Sequence, residues 1–186
     1  MLASRPIIRN CACAARRSCV ARRAQLFLIA AVVFVVDQLS KFWVLEIFDL
    51  PRRISVEVLP VFSLTMVWNR GVSMGLLQAD GHASRWLLTG LTAMISVGVA
   101  VWMWREVNRW QGLALALVLG GALGNIVDRI RFGAVADFIH LHAGGWSFYV
   151  FNIADAGITV GVALLLLTSL QRAERRNPAD TGLIKE

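Results

Sequence analysis

Four stretches of this chain, 24–45, 86–104, 112–130 and 150–170, are each long and apolar enough to cross a bilayer, which takes roughly 20 mostly apolar residues. No other feature restricts the fold as strongly. In hydrocarbon every backbone N–H and C=O must be paired inside the protein, which leaves helices or a closed barrel. The runs are continuous rather than alternating, so they read as helices. Hydrophobic residues make up 57% of the 186 positions and charged ones 17%, well beyond the balance of a soluble domain. The expected fold class is an all-α membrane protein with four transmembrane helices. A small extracytoplasmic β-sheet loop over 46–85 and a short re-entrant or interfacial segment after the third span complete it. Residues 1–23 and 171–186 are expected as tails, the first of them irregular.

The net charge is +7. On a soluble protein that would suggest nucleic acid; on four spans it reports orientation, because Lys and Arg collect in cytoplasmic segments. Arg5, Arg9, Arg16, Arg17, Arg22 and Arg23 precede the first span. Arg105 and Arg109 separate the second and third, and Arg172, Arg175 and Arg176 follow the fourth. Both termini are therefore expected in the cytoplasm, loops 46–85 and 131–149 outside, and no nucleic acid as partner. The basic start contains Cys11, Cys13 and Cys19 but no second pair of the kind a metal site needs. It also has no apolar core of signal-peptide type before Arg22.

Within this apolar frame, ionisable and amide side chains recur near the outer ends of the spans, where their cost marks them as functional by default. Asp37 and Lys41 stand four apart on one helix face. They read either as an interfacial ion pair, with Lys41 snorkelling to the headgroups, or as part of a site. In the loop, Ile54, Val56 and Val58 alternate with Ser55 and Glu57. After Pro60, Phe62, Leu64, Met66 and Trp68 alternate with Ser63, Thr65, Val67 and Asn69. That period predicts two half-buried strands, closed by a turn at Asn69-Arg70-Gly71. Span two carries no visible chemistry and reads as scaffold facing lipid.

Gly120 and Gly124 in span three, and Gly157 and Gly161 in span four, are small-xxx-small pairs that let helices approach closely. They predict that the outer end of span three lies beside the start of span four. Asn125, Asp128 and Arg129 share a face at that end, Asp128 and Arg129 being readable as a simple ion pair. Gly133 ends the helix, and the apolar piece opened by Asp137 reads as a re-entrant dip before the Gly144-Gly145 turn. Asn152 and Asp155 have the spacing of a helix N-cap and its acidic partner.

Capping does not call for a second acid, and Asp137 supplies one. Two carboxyls brought together share a proton, because both do not ionise easily. One can then activate water while the other protonates a leaving amine, the logic of aspartic proteases. The chain has no His-Glu-x-x-His and no Gly-x-Ser-x-Gly elbow. His140 and His142 are read as pointing apart, which disfavours a metal shared with Asp137, so no metal and no cofactor are expected. The competing class is a small proton- or ion-coupled transporter, which a repeat between the two halves would favour.

Taken together, the motifs Asp37-Gln-Leu-Ser-Lys41, Asn69-Arg-Gly71, Gly124-Asn125-Ile-Val-Asp128-Arg129, Val135-Ala-Asp137-Phe138 and Phe151-Asn152-Ile-Ala154-Asp155 form a set. Over about 25–170 the chain resembles the lipoprotein signal peptidase (signal peptidase II) family. The resemblance implies a monomeric, four-span aspartyl peptidase of the bacterial cell inner membrane, with its active site toward the outer face. It implies Asp137 and Asp155 as the catalytic pair. Asp37, Lys41, Asn69, Gly71, Asn125, Asp128, Arg129, Asn152 and Ala154 become site-ordering or substrate-binding positions. The implied partners are membrane lipid and lipid-modified prolipoprotein signal peptides, cut on the amino side of a diacylglyceryl-modified Cys. Ser73 and Met74 depart from the small residue and Phe usual in the family.

Overall fold

A computed structural model describes residues 7–71 and 82–176, with side chains over 20–71 and 83–172. Ser73 and Met74, and the last ten positions, lie outside the described residues, as do the side chains of the three cysteines. Among the described residues four helices are long and apolar enough to cross a membrane, over Val20–Ile47, Ala83–Arg105, Arg109–Phe132 and Ile153–Arg172.

Helix α1 runs from Ile7 to Phe42 and widens into a π-type turn at Trp43–Ile47. The irregular stretch expected over 1–23 is thus corrected from Ile7 onward. Ala and Arg crowd residues 7–23 with no Gly or Pro among them, and both are strong helix formers. A short α2 (Leu50–Arg53) then leads into strands β1 (Ser55–Leu59) and β2 (Phe62–Asn69), the hairpin that the alternation predicts. After α3 (His82–Arg105) and α4 (Arg109–Phe132) come β3 (Val135–Ala143) and β4 (Trp146–Ser147). The chain ends its described course in α5 (Ile153–Arg176).

The expected re-entrant dip is a strand instead. β3 pairs antiparallel with β2, Val67 opposite Asp137 and Asn69 opposite Val135, in a sheet of order β1-β2-β3-β4. The reason lies in the sequence around it. Gly133 caps α4 at φ 78°, its N–H bonded to Arg129 O at 3.1 Å, a left-handed conformation that glycine adopts without penalty. The alternating residues that follow then satisfy their backbone on β2 rather than in a helix buried in lipid. Phe151 is drawn in as well, exchanging backbone bonds with Ile139 at 2.8 and 3.0 Å, so α5 starts at Ile153 and not at 150. Phe138 packs with Val44 and Leu50 in a small apolar cluster that also takes in Val56, Leu64 and Met66, seating the sheet on the end of α1.

Helix α4 is the axis of the bundle, packed against α1, α3 and α5. Its glycines divide the work. A Cβ on Gly120 would meet Ala30 O of α1 at 2.5 Å. One on Gly121 would strike Ala154 O of α5, and one on Gly124 the carboxylate of Asp37. A Cβ on Gly161 would meet Ala114 O at 2.7 Å, so the two helices approach as the spacing predicts, while Gly120 serves α1 rather than α5. Helix α3 exposes Leu87, Met94, Ile95 and Val97, as a lipid-facing scaffold should. Its Thr89 and Ser96 hydroxyls return to backbone carbonyls one turn back, at 2.7 and 2.8 Å. At the opposite end from the sheet, Arg22 donates to Val107 O at 2.6 Å, tying the start of span one to the α3–α4 turn.

Candidate active site

The two carboxyls arrive on different kinds of element. Asp137 sits in β3 and is 2% exposed; Asp155 lies in the first turn of α5 and is half-buried. Asparagines hold both. Asn152 Nδ2 donates to Asp137 Oδ1 at 2.6 Å and Asn69 Nδ2 to Asp137 Oδ2 at 3.1 Å. Asn125 Nδ2 donates to Asp155 Oδ1 at 2.8 Å. Asn69 sits at the end of β2, and its Oδ1 accepts from Gly71 N–H at 3.2 Å. It is therefore both the turn residue that its spacing suggests and a partner of Asp137.

Asn152 likewise has two roles. Its Oδ1 accepts from Asp155 N–H at 2.9 Å, while its own N–H points to Asp155 Oδ2 at 3.4 Å, a reciprocal cap. That cap fixes Asp155 at the helix start and leaves the Asn152 amide nitrogen free to reach Asp137. Burial, then repulsion from Asp155, push the Asp137 carboxyl up to about 7, against the lowering effect of Asn69, Asn152 and Lys41. A carboxyl whose proton affinity is raised by burial and by a second acid is suited to acid–base work. Arg129 on α4 couples electrostatically to Asp155, Asp137 and Asp128.

Beneath the pair lies a buried charge cluster. Lys41 Nζ is 2.8 Å from Asp37 Oδ2 and 2.7 Å from Asp128 Oδ2. It also donates to Asn125 Oδ1 at 3.3 Å. All three charged residues are at most 2% exposed. Two expectations are corrected here. Lys41 does not snorkel, and Asp128 pairs with Lys41 rather than with its neighbour Arg129. Successive residues on a helix point about 100° apart, so Asp128 faces α1 while Arg129 turns toward the carboxyl pair. Gln38, which sequence reasoning passed over, donates to Asp128 Oδ1 at 3.0 Å and to Gly124 O at 3.3 Å. Its position one residue after Asp37 was the only signal. Arg85 was also missed; it caps α4 by donating to Arg129 O at 2.8 Å and Ile130 O at 2.6 Å. Among the described residues no buried side-chain nitrogen or oxygen lacks a partner.

His140 and His142 do not point apart. Residues two apart on a strand share a face, and their rings lie 5.3 Å from each other. They are engaged by hydroxyls: His142 with Ser63 at 2.7 Å, His140 with Ser147 at 2.8 Å. They sit opposite Asp137 across the strand, and no group of three metal-binding side chains occurs among the described residues.

Asp137, Asp155 and Asn69 line a cavity of about 540 Å³ whose other walls are largely apolar, including Phe148, Val150, Phe151 and Ile158. Four membrane-spanning helices bearing a small sheet, with paired acids at a cavity beside it, define a multi-pass membrane enzyme. A family model described as signal peptidase (SPase) II matches residues 29–171, and the chain belongs to that family: it is a signal peptidase of the bacterial membrane. A lipoprotein signal peptidase from Methylobacterium sp. (strain 4-46) is 49% identical over 150 residues, covering 81% of this chain and 91% of that one. Its counterpart from Rhizorhabdus wittichii is 47% identical over 155 residues, covering 83% and 90%. Two solved bacterial membrane enzymes share the fold. One has a TM-score of 0.68 and 27% identity, covering 88% of this chain and 94% of its own; the other has 0.67 and 32%, covering 79% and 93%. Family membership removes the transporter reading.

Proposed function

We propose that the protein is an aspartyl endopeptidase that removes the signal peptide from diacylglyceryl-modified prolipoproteins, cutting on the amino side of the lipidated Cys. The observation that carries this reading is the pairing of Asp137 and Asp155 at one largely apolar cavity, with asparagine donors on both. The name borne by its relatives, lipoprotein signal peptidase, supports the substrate class. An apolar cavity beside a membrane helix suits a peptide whose acyl chains stay in lipid.

In the resting pair Asp137 holds the proton, in keeping with its raised affinity, and Asp155 is the carboxylate. Asp155 takes a proton from water as the hydroxide adds to the scissile carbonyl carbon. Asp137 then gives its proton to the leaving amine of the Cys as the C–N bond breaks. The new carboxyl terminus leaves with the signal peptide. Asn69 and Asn152 hold Asp137, Asn125 holds Asp155, and Arg129 offers positive charge where the oxyanion develops. The Arg-rich start of α1 and the α3–α4 turn lie together, away from the sheet. This supports cytoplasmic termini and an active site toward the outer face of the inner membrane.

The test is turnover by purified protein of a synthetic prolipoprotein with and without the diacylglyceryl group. Only the lipidated peptide is expected to be cut, just before its Cys. Asp137→Asn or Asp155→Asn should abolish cleavage in an inserted protein, and added chelator should change nothing. Clear turnover by either variant, or loss of turnover on chelation, would sink the assignment.

A further inference from the structure

The buried cluster under the carboxyl pair does more than neutralise charge. Asp37 Oδ1 accepts from the backbone N–H of Ala154 at 2.9 Å, and Ala154 is the residue just before Asp155. Asp128 Oδ2 accepts from the backbone N–H of Ala136 at 3.2 Å, and Ala136 is the residue just before Asp137. Both carboxylates meet on Lys41 Nζ, which also draws in the Asn125 oxygen and so turns the Asn125 amide nitrogen toward Asp155. An amide with its oxygen on a cation presents its N–H₂ on the far side. Helix α1, with no residue at the cavity, thereby grips the backbone beside each member of the pair. Gly124 makes this possible, since a side chain there would occupy the place of the Asp37 carboxylate.

We propose that Lys41 is a positioning residue for the peptidase reaction: its ammonium joins the two carboxylates that each hold the backbone N–H preceding one of the paired aspartates. This rests on the reading of Asp137 and Asp155 as the reacting pair. A simple structural ion pair would need neither the two backbone donors nor the link through Asn125. The spacing between β3 and α5 is then set by one cation, which explains why a charge is kept at a depth where it is costly.

Lys41→Met, Lys41→Arg and the neutral triple variant Asp37→Asn/Lys41→Met/Asp128→Asn provide the test, with kcat, KM and the pH profile measured per folded molecule. The triple variant buries no uncompensated charge and keeps Asn oxygens for Ala154 and Ala136, so it covers the case in which Lys41→Met fails to insert. Displacing a reacting group by about 1 Å costs on the order of 10²-fold, so kcat is expected to fall by about that much with KM changed only a few-fold. Asp137 is faced by Asp155 from α5, Lys41 from α1 and Arg129 from α4. Removing the Lys41 ammonium alone, in Lys41→Met, should therefore also move the alkaline limb of the profile upward, and Lys41→Arg should bring it back in part. The triple variant, which loses two carboxylates with the one ammonium, should move the limb downward. A mere loss of folded protein would move neither kcat per folded molecule nor the limb. Parent-like kcat and an unmoved limb in whichever of the two Met variants folds would overturn the proposal. Asp137→Asn and Asp155→Asn run alongside: if they are dead while the Lys41 variants match the parent, positioning alone fails. If they turn over, the dyad reading itself fails.

Discussion

At the residue scale, Asp137 carries the most testable chemistry. Its carboxyl is raised from 3.8 to about 7 by burial first and by Asp155 second. The sign follows directly. Between those values the folded protein holds a proton that the unfolded chain has released, so stability falls as pH rises from about 4 to about 7 and levels off above. The melting temperature of the parent should decline across that window, and in Asp137→Asn the component of the slope due to this group should vanish, whatever the variant's absolute stability. Activity should fall above about pH 7 as the pair loses its shared proton, its two apparent values belonging to the pair and not to one residue. In the proposed mechanism the two acids act as one unit, so the double variant Asp137→Asn/Asp155→Asn should lose no more than either single variant, measured as residual cleavage of the lipidated peptide.

The element scale is governed by how near α4 comes to its neighbours. Gly121→Ala would drive a methyl group into Ala154 O, at the start of the helix that carries Asp155. Overpacking of this kind costs about 1–3 kcal/mol, and here it should lower both the melting temperature in detergent and the cleavage rate. Gly98→Ala is the control, because a Cβ there meets nothing within 4 Å and Ala is the better helix former; stability should hold or rise slightly. The β2 end offers a similar contrast. Asn69→Ala removes a donor from Asp137 and should cut the rate strongly. Arg52→Ala breaks only an exposed pair with Asp49 at 3.3 Å, the kind worth little, and should leave the rate close to that of the parent.

Over the whole molecule, orientation decides whether the site can meet its substrate. Reporters fused after Arg23, at Arg109 and after Arg172 should read cytoplasmic, and one at Gly144 external. A cytoplasmic reading at Gly144 would put the paired acids on the wrong side. The hydrogen bond from Arg22 to Val107 O requires the first and second of these to agree. Removal of residues up to Arg16, with Arg17, Arg22 and Arg23 kept as topology charges, should leave cleavage nearly intact.

The spans, the β1–β2 hairpin, the helix stop at Gly133 and the candidacy of Asp137 and Asp155 for the proposed chemistry were all legible in the chain. Each depends on local physics: apolar length, side-chain period, glycine conformation, or the cost of a carboxyl in lipid. The third strand was not legible, because a short alternating apolar piece between two spans looks the same whether it dips or pairs. Only the presence of β2 alongside decided it. Nor could sequence choose partners for Lys41 and Asp128. Asp128 has Arg129 beside it in the chain, yet the rotation of α4 and the close approach at Gly124 deliver it to Lys41. The contact between Asp37 and Ala154 spans 117 positions. Electrostatic pairing in a low-dielectric interior follows distance in space, which is set by helix packing, and this is why tertiary structure alone turned a row of polar residues into a single connected site.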